Sequence, residues 1–136
     1  MSGLFGALGI SASGIDAMQV WLDTSGGNIA NANDAVAMNK PAYAPETTIL
    51  TPSAGALPGE VGQGVSASVQ LGSAAGVVAY QPNNPLADAN GEVKLPAVSL
   101  SSELVNLIQA QEGYQADTSA LQKAISAYQS GLAIGS

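Results

Sequence analysis

Proline placement divides the chain into three segments. All seven prolines lie between Pro41 and Pro96, and none occurs in residues 1–34 or 101–136. Because proline lacks a backbone N–H donor and clashes with the preceding helical turn, no long helix can run through the middle of the chain. We therefore predict a helix at each end and an irregular middle segment with short strands, residues 35–100.

Both terminal segments have side chains at the seven-residue spacing that is typical of coiled coils. We call the first set at each end the main row: Leu8, Ile15, Leu22 and Ile29 in the first segment, and Leu100, Leu107, Tyr114, Leu121 and Tyr128 in the second. The second row is Leu4, Ser11, Met18 and Ser25, and then Leu104, Gln111, Thr118, Ile125 and Leu132. This spacing predicts that the two helices form a coiled coil, although it also fits two amphipathic helices in a monomeric bundle.

Several features weaken the two helices as an isolated pair. Four second-row positions have Ser, Gln or Thr where a coiled coil places apolar side chains. Gly26 and Gly27 each disfavour a helix interior by about 1 kcal/mol relative to alanine. We therefore expect neighbouring copies of the chain to supply part of the burial that these helices need.

The middle segment has the patterns of short strands and turns. Apolar and polar residues alternate over residues 65–71, which predicts a half-buried strand. Shorter candidate strands lie at 47–50, 77–80 and 92–95, and Asn90-Gly91 just before the last one is a strong turn signal. Ser99 is the predicted N-cap of the helix that follows.

Composition excludes several classes of function. Three Lys and no Arg stand against ten acidic residues, for a net charge of -7, which is the wrong sign for neutralising nucleic-acid phosphates. The chain has no Cys and no His, so we expect no disulfide, no thiol chemistry, no zinc site and no histidine base. No apolar run is long enough to predict a membrane span, and no basic N-terminal region indicates a cleaved secretion signal.

The remaining candidates for chemistry are weak. The run from Asp88 to Glu92 lacks the repeated acidic ligands of a calcium loop, so we expect neither a metal nor a cofactor. Gly59, Gly62 and Gly64 fit turn glycines, because no lysine and no helix pattern follow them. Two alternatives remain open: a self-contained acidic helical module that binds a protein, and an enzyme. The enzyme would need two of four carboxylates in one cleft, from Asp88, Glu92, Glu103 and Glu112.

Three stretches of the chain resemble one known family. The first stretch comprises Ser13-Gly14-Ile15, Ala17, Leu22-Asp23 and Asn28 to Asn33. The second runs from Tyr80 to Asp88 and continues with Gly91, Val93, Pro96 and Val98. The third comprises Glu103 to Ile108 and Tyr114 to Ala116. The first and third resemble the terminal helices of bacterial flagellar rod and hook proteins. The second, together with the short total length, is most similar to a short rod member of that family.

This resemblance implies a structural subunit of the proximal rod of the flagellar basal body, with no enzymatic activity. It implies export through the flagellar type III apparatus without a cleaved signal, and helical polymerisation in the periplasm-spanning rod, which transmits motor torque. The implied partners are copies of the chain, other rod proteins, the adaptor between rod base and ring, and the export apparatus. The apolar and aromatic residues of both rows would pack subunits together, and an extended connector would contact adjacent subunits through Tyr80, Pro82, Pro85, Gly91 and Pro96.

Overall fold

The computed structural model describes residues 2–55 and 62–135. Its elements are, in chain order, α1 (Ser2–Asn31), β1 (Glu46–Pro52), β2 (Val65–Leu71), β3 (Val77–Tyr80), β4 (Glu92–Leu95) and α2 (Leu100–Ile134). The predicted fold class, two long terminal helices joined by a small strand-containing middle, is confirmed. Gly59, one of the predicted turn glycines, lies outside the described residues.

The start of α2 and the continuity of α1 each have an identifiable cause. The Ser99 hydroxyl accepts a hydrogen bond from the Ser102 N–H at 3.4 Å, and Glu103 lies in the first turn of α2, so the predicted N-cap is confirmed. Helix α1 runs without a break through Gly26 and Gly27. The residues on either side of this glycine pair are buried, so tertiary contacts offset the low helix propensity of glycine there.

The helices pack against each other in antiparallel orientation. The residue pairs that meet between α1 and α2 are Phe5 with Tyr128, Gly14 with Asp117, Met18 with Gly113, and Asn28 with Glu103. Residue numbers rise along α1 as they fall along α2, which defines a helical hairpin. The chain therefore leaves α1 and enters α2 at the same end of the pair.

The four strands form two separate antiparallel hairpins, β1 with β2 and β3 with β4. Strands β2, β3 and β4 have the predicted bounds, and β1 is longer than predicted. The first hairpin packs on α1, where the Ser13 hydroxyl accepts a hydrogen bond from the Val65 N–H at 3.1 Å. The second hairpin is extended by an isolated bridge between Val36 and Lys94.

The predicted Asn90-Gly91 turn connects to β4 as expected. Gly91 has a φ of +76°, and a Cβ there would lie 2.9 Å from the Tyr80 ring, so both conformation and space require glycine. The Asp88 carboxylate accepts hydrogen bonds from the N–H groups of Asn90 and Glu92 at 2.8 and 3.0 Å. This acidic residue therefore stabilises the turn.

The buried core consists mostly of small side chains. Its buried apolar members include Ala17, Ala32, Ala42, Val93 and Ala110, and its buried polar members include Ser11, Thr24, Ser25 and Asn28. Small side chains allow the elements to approach closely, but they bury little apolar area per residue. Many of the larger apolar side chains consequently remain on the surface.

Candidate assembly surfaces

Two glycines determine how closely the helices approach. Gly14 of α1 lies against the carboxylate of Asp117, and any Cβ at Gly14 would overlap it. On α2, a Cβ at Gly113 would lie 2.6 Å from the sulfur of Met18. Each glycine leaves room for a larger side chain of the opposite helix, so the helix pair is held together by small-to-large contacts along its length.

Asn28 connects three parts of the molecule and is completely buried. Its side-chain NH2 donates to the Glu46 carbonyl oxygen at 2.7 Å and to a Glu103 carboxylate oxygen at 3.1 Å. Its side-chain oxygen accepts from the Glu46 N–H at 2.8 Å and from the Tyr43 hydroxyl at 3.1 Å. The amide therefore uses both of its donors and both acceptor lone pairs, and it joins α1 to β1 and to α2.

The surroundings of Asn28 are negatively charged. Burial raises the pKa of the Tyr43 hydroxyl, and the nearby carboxylates of Glu46 and Glu103 raise it further. Deprotonating Tyr43 would add a third negative charge to this cluster. The junction of α1, β1 and α2 is therefore a polar, electronegative site.

The predicted rows of α1 lie on its packed side. All four main-row residues and the apolar second-row residues Leu4 and Met18 are half-buried. The two second-row serines, Ser11 and Ser25, are more deeply buried than the apolar residues. The two positions of α1 that weaken an ideal coiled coil are thus buried in this molecule.

The two predicted rows of α2 differ in burial. In the main row Leu107, Leu121 and Tyr128 are half-buried, Tyr114 lies at the edge with 37% exposure, and Leu100 is 42% exposed. The apolar second-row residues are exposed, at 50% for Leu104, 40% for Ile125 and 53% for Leu132. Within one chain the second row therefore does not pack against α1, and its role in packing subunits stays a prediction.

A row that sequence reasoning missed packs α2 against α1. It has the same seven-residue spacing but consists of small or polar residues: Glu103, Ala110, Asp117 and Ala124. Ala110 is fully buried, and Asp117 faces Gly14. A search restricted to large apolar side chains does not find this row, whereas the recurrence of small residues at heptad spacing could have indicated it.

The outer surface of α2 has an unusual number of exposed apolar side chains. Near its N-terminal end they are Leu100, Leu104, Val105 and Ile108, and near its C-terminal end Leu132 and Ile134. Monomeric proteins rarely leave contiguous apolar patches of this kind uncovered. This face of α2 is the strongest candidate for contact with another polypeptide.

The predicted connector residues lie in and around the β3–β4 hairpin. Tyr80 is 73% exposed, and Pro82 and Pro85 are exposed in the loop that follows it. Gly91 is half-buried at the turn, and Pro96 is buried just after β4. The exposed members are accessible to another subunit, and their contact with one stays a prediction.

The four carboxylates of the enzyme alternative divide into two pairs in different elements. Asp88 lies in the turn before β4 and Glu92 is the first residue of β4, whereas Glu103 and Glu112 lie on α2. In residues 2–55 and 62–135 no group of three or more Asp, Glu, His or Cys could hold a metal ion. Over the same residues, neither helix combines the length and apolar character needed to cross a bilayer.

Comparison with known proteins gives a consistent set of relatives. No protein-family model matches the chain. The chain is 35% identical over 113 residues to the flagellar basal-body rod protein FlgC of Salmonella typhimurium, which covers 82% of this chain and 83% of the relative. It is 34% identical to FlgC of Escherichia coli O157:H7 with the same coverage. FlgC of Borreliella burgdorferi is 28% identical over 148 residues, with 97% of both chains covered.

Proposed function

The chain belongs to the family of flagellar basal-body rod proteins named FlgC, and from this premise we propose that it is a structural subunit of the proximal rod. In this proposal the terminal helices polymerise helically in the periplasm-spanning rod and transmit motor torque. The role requires no enzymatic step and no cofactor. The chain reaches the rod through the flagellar type III export apparatus, without a cleaved signal peptide.

The observation that supports this proposal most strongly is the exposed apolar face of α2. Leu104, Val105 and Ile108 are each at least half exposed within one chain, although they lie on a helix whose other side is packed. Burying such side chains between subunits is favourable by roughly 1.5–3 kcal/mol per residue when burial is complete. Repeated around a helical polymer, these contacts supply the burial that the small core of one chain lacks.

The proposed partners follow from the exposed surfaces. Copies of the chain and other rod proteins would contact the outer faces of the helices, including both rows of α2. Tyr80, Pro82 and Pro85 would contact adjacent subunits from the β3–β4 hairpin. The adaptor between rod base and ring would meet the subunits at the base of the rod.

A pair of substitutions on α2 tests the proposal. Leu104→Asp places a charge in the exposed apolar face, where subunit packing would desolvate it without a partner. Ser119→Asp adds the same charge to an exposed, polar part of the same helix. We expect Leu104→Asp to leave export unchanged and to reduce the chain in purified basal bodies at least tenfold, with loss of swimming.

The matched variant Ser119→Asp should be incorporated and should swim like the parent. The measurements are the amount of chain exported, the amount in basal bodies and the diameter of swimming zones. Normal incorporation of Leu104→Asp would contradict packing through this face.

A further inference from the structure

The hydrogen-bond pattern of the β1–β2 hairpin determines which backbone groups of β1 face outward. The Gly72 N–H donates to the Pro45 carbonyl at 2.7 Å, and the Ser53 N–H donates to the Gly64 carbonyl at 2.9 Å. In an antiparallel ladder, residues alternate between pairing with the neighbouring strand and pointing their N–H and C=O away from it. The odd-numbered residues of β1 therefore pair with β2, and its even-numbered residues point to the open edge.

The open edge of β1 is satisfied at one position and unpaired at the next two. At Glu46 the Asn28 side chain takes the place of a neighbouring strand, since it binds both the N–H and the C=O. Thr48 and Leu50 also direct their backbone N–H and C=O groups outward, and no described residue forms a hydrogen bond with these groups. The edge thus has four unpaired backbone groups next to an anchored residue.

A cavity of about 340 Å³ runs beside this edge, and we call it the β1 groove. Its lining residues come from α1 (Trp21, Thr24, Ser25), β1 (Glu46, Thr47, Thr48, Leu50) and α2 (Glu103, Asn106). The Thr48 hydroxyl oxygen is buried and has no hydrogen-bond partner among the described residues. A buried hydroxyl without a partner is costly, so the wall of the groove is not fully satisfied by contacts within the chain.

The charge of the β1 groove indicates the kind of side chain that it accepts. Glu46 and Glu103 both line it, and both act on the Tyr43 hydroxyl, whose pKa is raised. Two carboxylates at one site favour a bound cation. A Lys or Arg side chain placed between them would form charge-assisted hydrogen bonds.

A second copy of the chain does not offer a matching segment. Its lysines are Lys40, Lys94 and Lys123. Lys40 is the last residue of a turn, because its N–H donates to the Ala37 carbonyl oxygen. Lys94 lies in β4 between β3 and Val36, so both of its backbone edges are already paired, and Lys123 lies in α2. The required extended, basic segment therefore belongs to a different polypeptide.

We propose that the β1 groove binds an extended segment of a different rod protein, which pairs as an added strand with Thr48 and Leu50 and places a Lys or Arg between Glu46 and Glu103. This inference rests on the proposed function as a rod subunit. Strand addition to an open sheet edge is a recurrent mode of peptide recognition, in which backbone hydrogen bonds supply affinity and side-chain sites supply specificity. Here the specificity site is the pair of carboxylates.

Photocrosslinking in assembled basal bodies tests the inference. A photoreactive amino acid at Thr47, which is exposed and lines the groove, should crosslink to a protein other than this chain. Mass spectrometry should place the crosslink in an extended segment with a Lys or Arg within three residues. The same photoreactive group at Gln115, on the polar side of α2, should not crosslink to that segment.

A charge variant in the same assay tests the specificity site. Glu46→Gln retains the shape of the side chain and removes its charge, and we expect it to lower the Thr47 crosslink yield about tenfold. Glu112→Gln, an exposed position on α2 outside the groove, should leave the yield unchanged. Equal yields for the two variants would overturn the role of the carboxylates, and with it the inference.

The outcomes separate this inference from the proposed function. If the chain is present in basal bodies but residue 47 crosslinks only to copies of the chain, to a helix or to nothing, the inference is wrong and the proposed function stands. Absence of the parental chain from basal bodies would overturn the proposed function itself.

A synthetic peptide of the crosslinked segment should also change the fluorescence of Trp21, the single tryptophan, and N-methylation of one peptide amide should abolish that change.

Discussion

Asn28 illustrates how much one polar residue contributes to a molecule with a small core. Its side chain satisfies the backbone of Glu46, orients Tyr43 and bonds to Glu103, so it connects elements that are distant in sequence. Hydrogen bonds of this kind add little when water can replace them, but they are costly to lose when buried. The stability of the junction therefore depends on this amide more than on any apolar contact there.

Asn28→Ala should lower the free energy of unfolding by about 3 kcal/mol, because it leaves the Glu46 backbone groups buried without partners. Urea denaturation followed by Trp21 fluorescence measures the change. Asn33→Ala, at an exposed position beyond the end of α1, is the matched control and should have almost no effect. A loss for Asn28→Ala no larger than that of the control would refute the role assigned to the buried amide.

Tyr43 gives the junction a pH dependence at alkaline pH. Because the folded-state pKa of Tyr43 is raised above the ordinary pKa of a tyrosine hydroxyl, the folded state holds this proton more tightly than the unfolded state does. The resulting stabilisation is fully present below the unfolded-state pKa and is lost as the pH rises through the folded-state pKa. We expect the free energy of unfolding to fall above about pH 10.

The variant Tyr43→Phe should remove the part of the alkaline loss of stability that is due to Tyr43. At neutral pH the variant also lacks the hydrogen bond to Asn28. Tyr80→Phe, at an exposed tyrosine outside this junction, is the matched control. Urea denaturation of the three proteins between pH 8 and 11 provides the comparison. An identical alkaline loss in the parent and Tyr43→Phe would contradict the assignment.

At the scale of elements, proline placement and periodicity predicted most of the secondary structure. The alternation over residues 65–71 and the Asn90-Gly91 turn correspond to β2 and to the turn before β4. These signals are local, so they are present in the sequence without knowledge of tertiary structure. The extension of β1 to Glu46 was not predicted, because its first residue pairs outward with a side chain of α1.

Apolar periodicity predicted only part of the side of α2 that faces α1. Close packing there uses Ala110 and Gly113, which have little or no hydrophobic signal, while Leu104 and Ile125 point away. A seven-residue apolar row predicts contact with some partner, and it does not specify whether that partner is the same chain. The hydrogen bonds of Asn28 were missed for a related reason, since long-range polar contacts leave no pattern in the sequence.

The turn before β4 supplies a prediction for the second hairpin. Gly91→Val forces a β-branched residue into a positive φ and into the Tyr80 ring, at a cost of roughly 1–3 kcal/mol. We expect export to continue and incorporation into basal bodies to fall. Ala89→Val adds the same side chain to the same turn at an exposed residue without a positive φ and should be incorporated normally. Equal incorporation of both variants would argue against a role for this turn in assembly.

At the scale of the whole molecule, the chain has two classes of apolar side chains on α2, which differ in how deeply they are buried within one chain. The main row of α2 lies beside α1 within one chain, and its second row is exposed. A molecule with a core of alanines and one fully buried valine has little apolar burial of its own. Its remaining apolar side chains are therefore available for contacts between subunits, which agrees with a subunit that is completed by assembly.

Two substitutions on α2 should separate the contacts within a chain from those between chains. Leu121→Asp places a carboxylate in the half-buried main row, so it should lower the free energy of unfolding of the isolated chain by about 2–3 kcal/mol. Leu104→Asp changes an exposed side chain and should alter that free energy by less than about 0.5 kcal/mol. Ser126→Asp, at an exposed polar position of the same helix, controls for the added charge.

In cells we expect a different order of effects, because the proposed rod assembly uses both surfaces. Leu104→Asp should block incorporation into basal bodies as strongly as Leu121→Asp, even though its isolated chain is as stable as the parent. Ser126→Asp should be incorporated and should support swimming. If every variant lost stability and incorporation in the same proportion, the exposed row would not be a subunit contact. A substitution in a surface between subunits must reduce assembly without lowering the stability of the isolated chain.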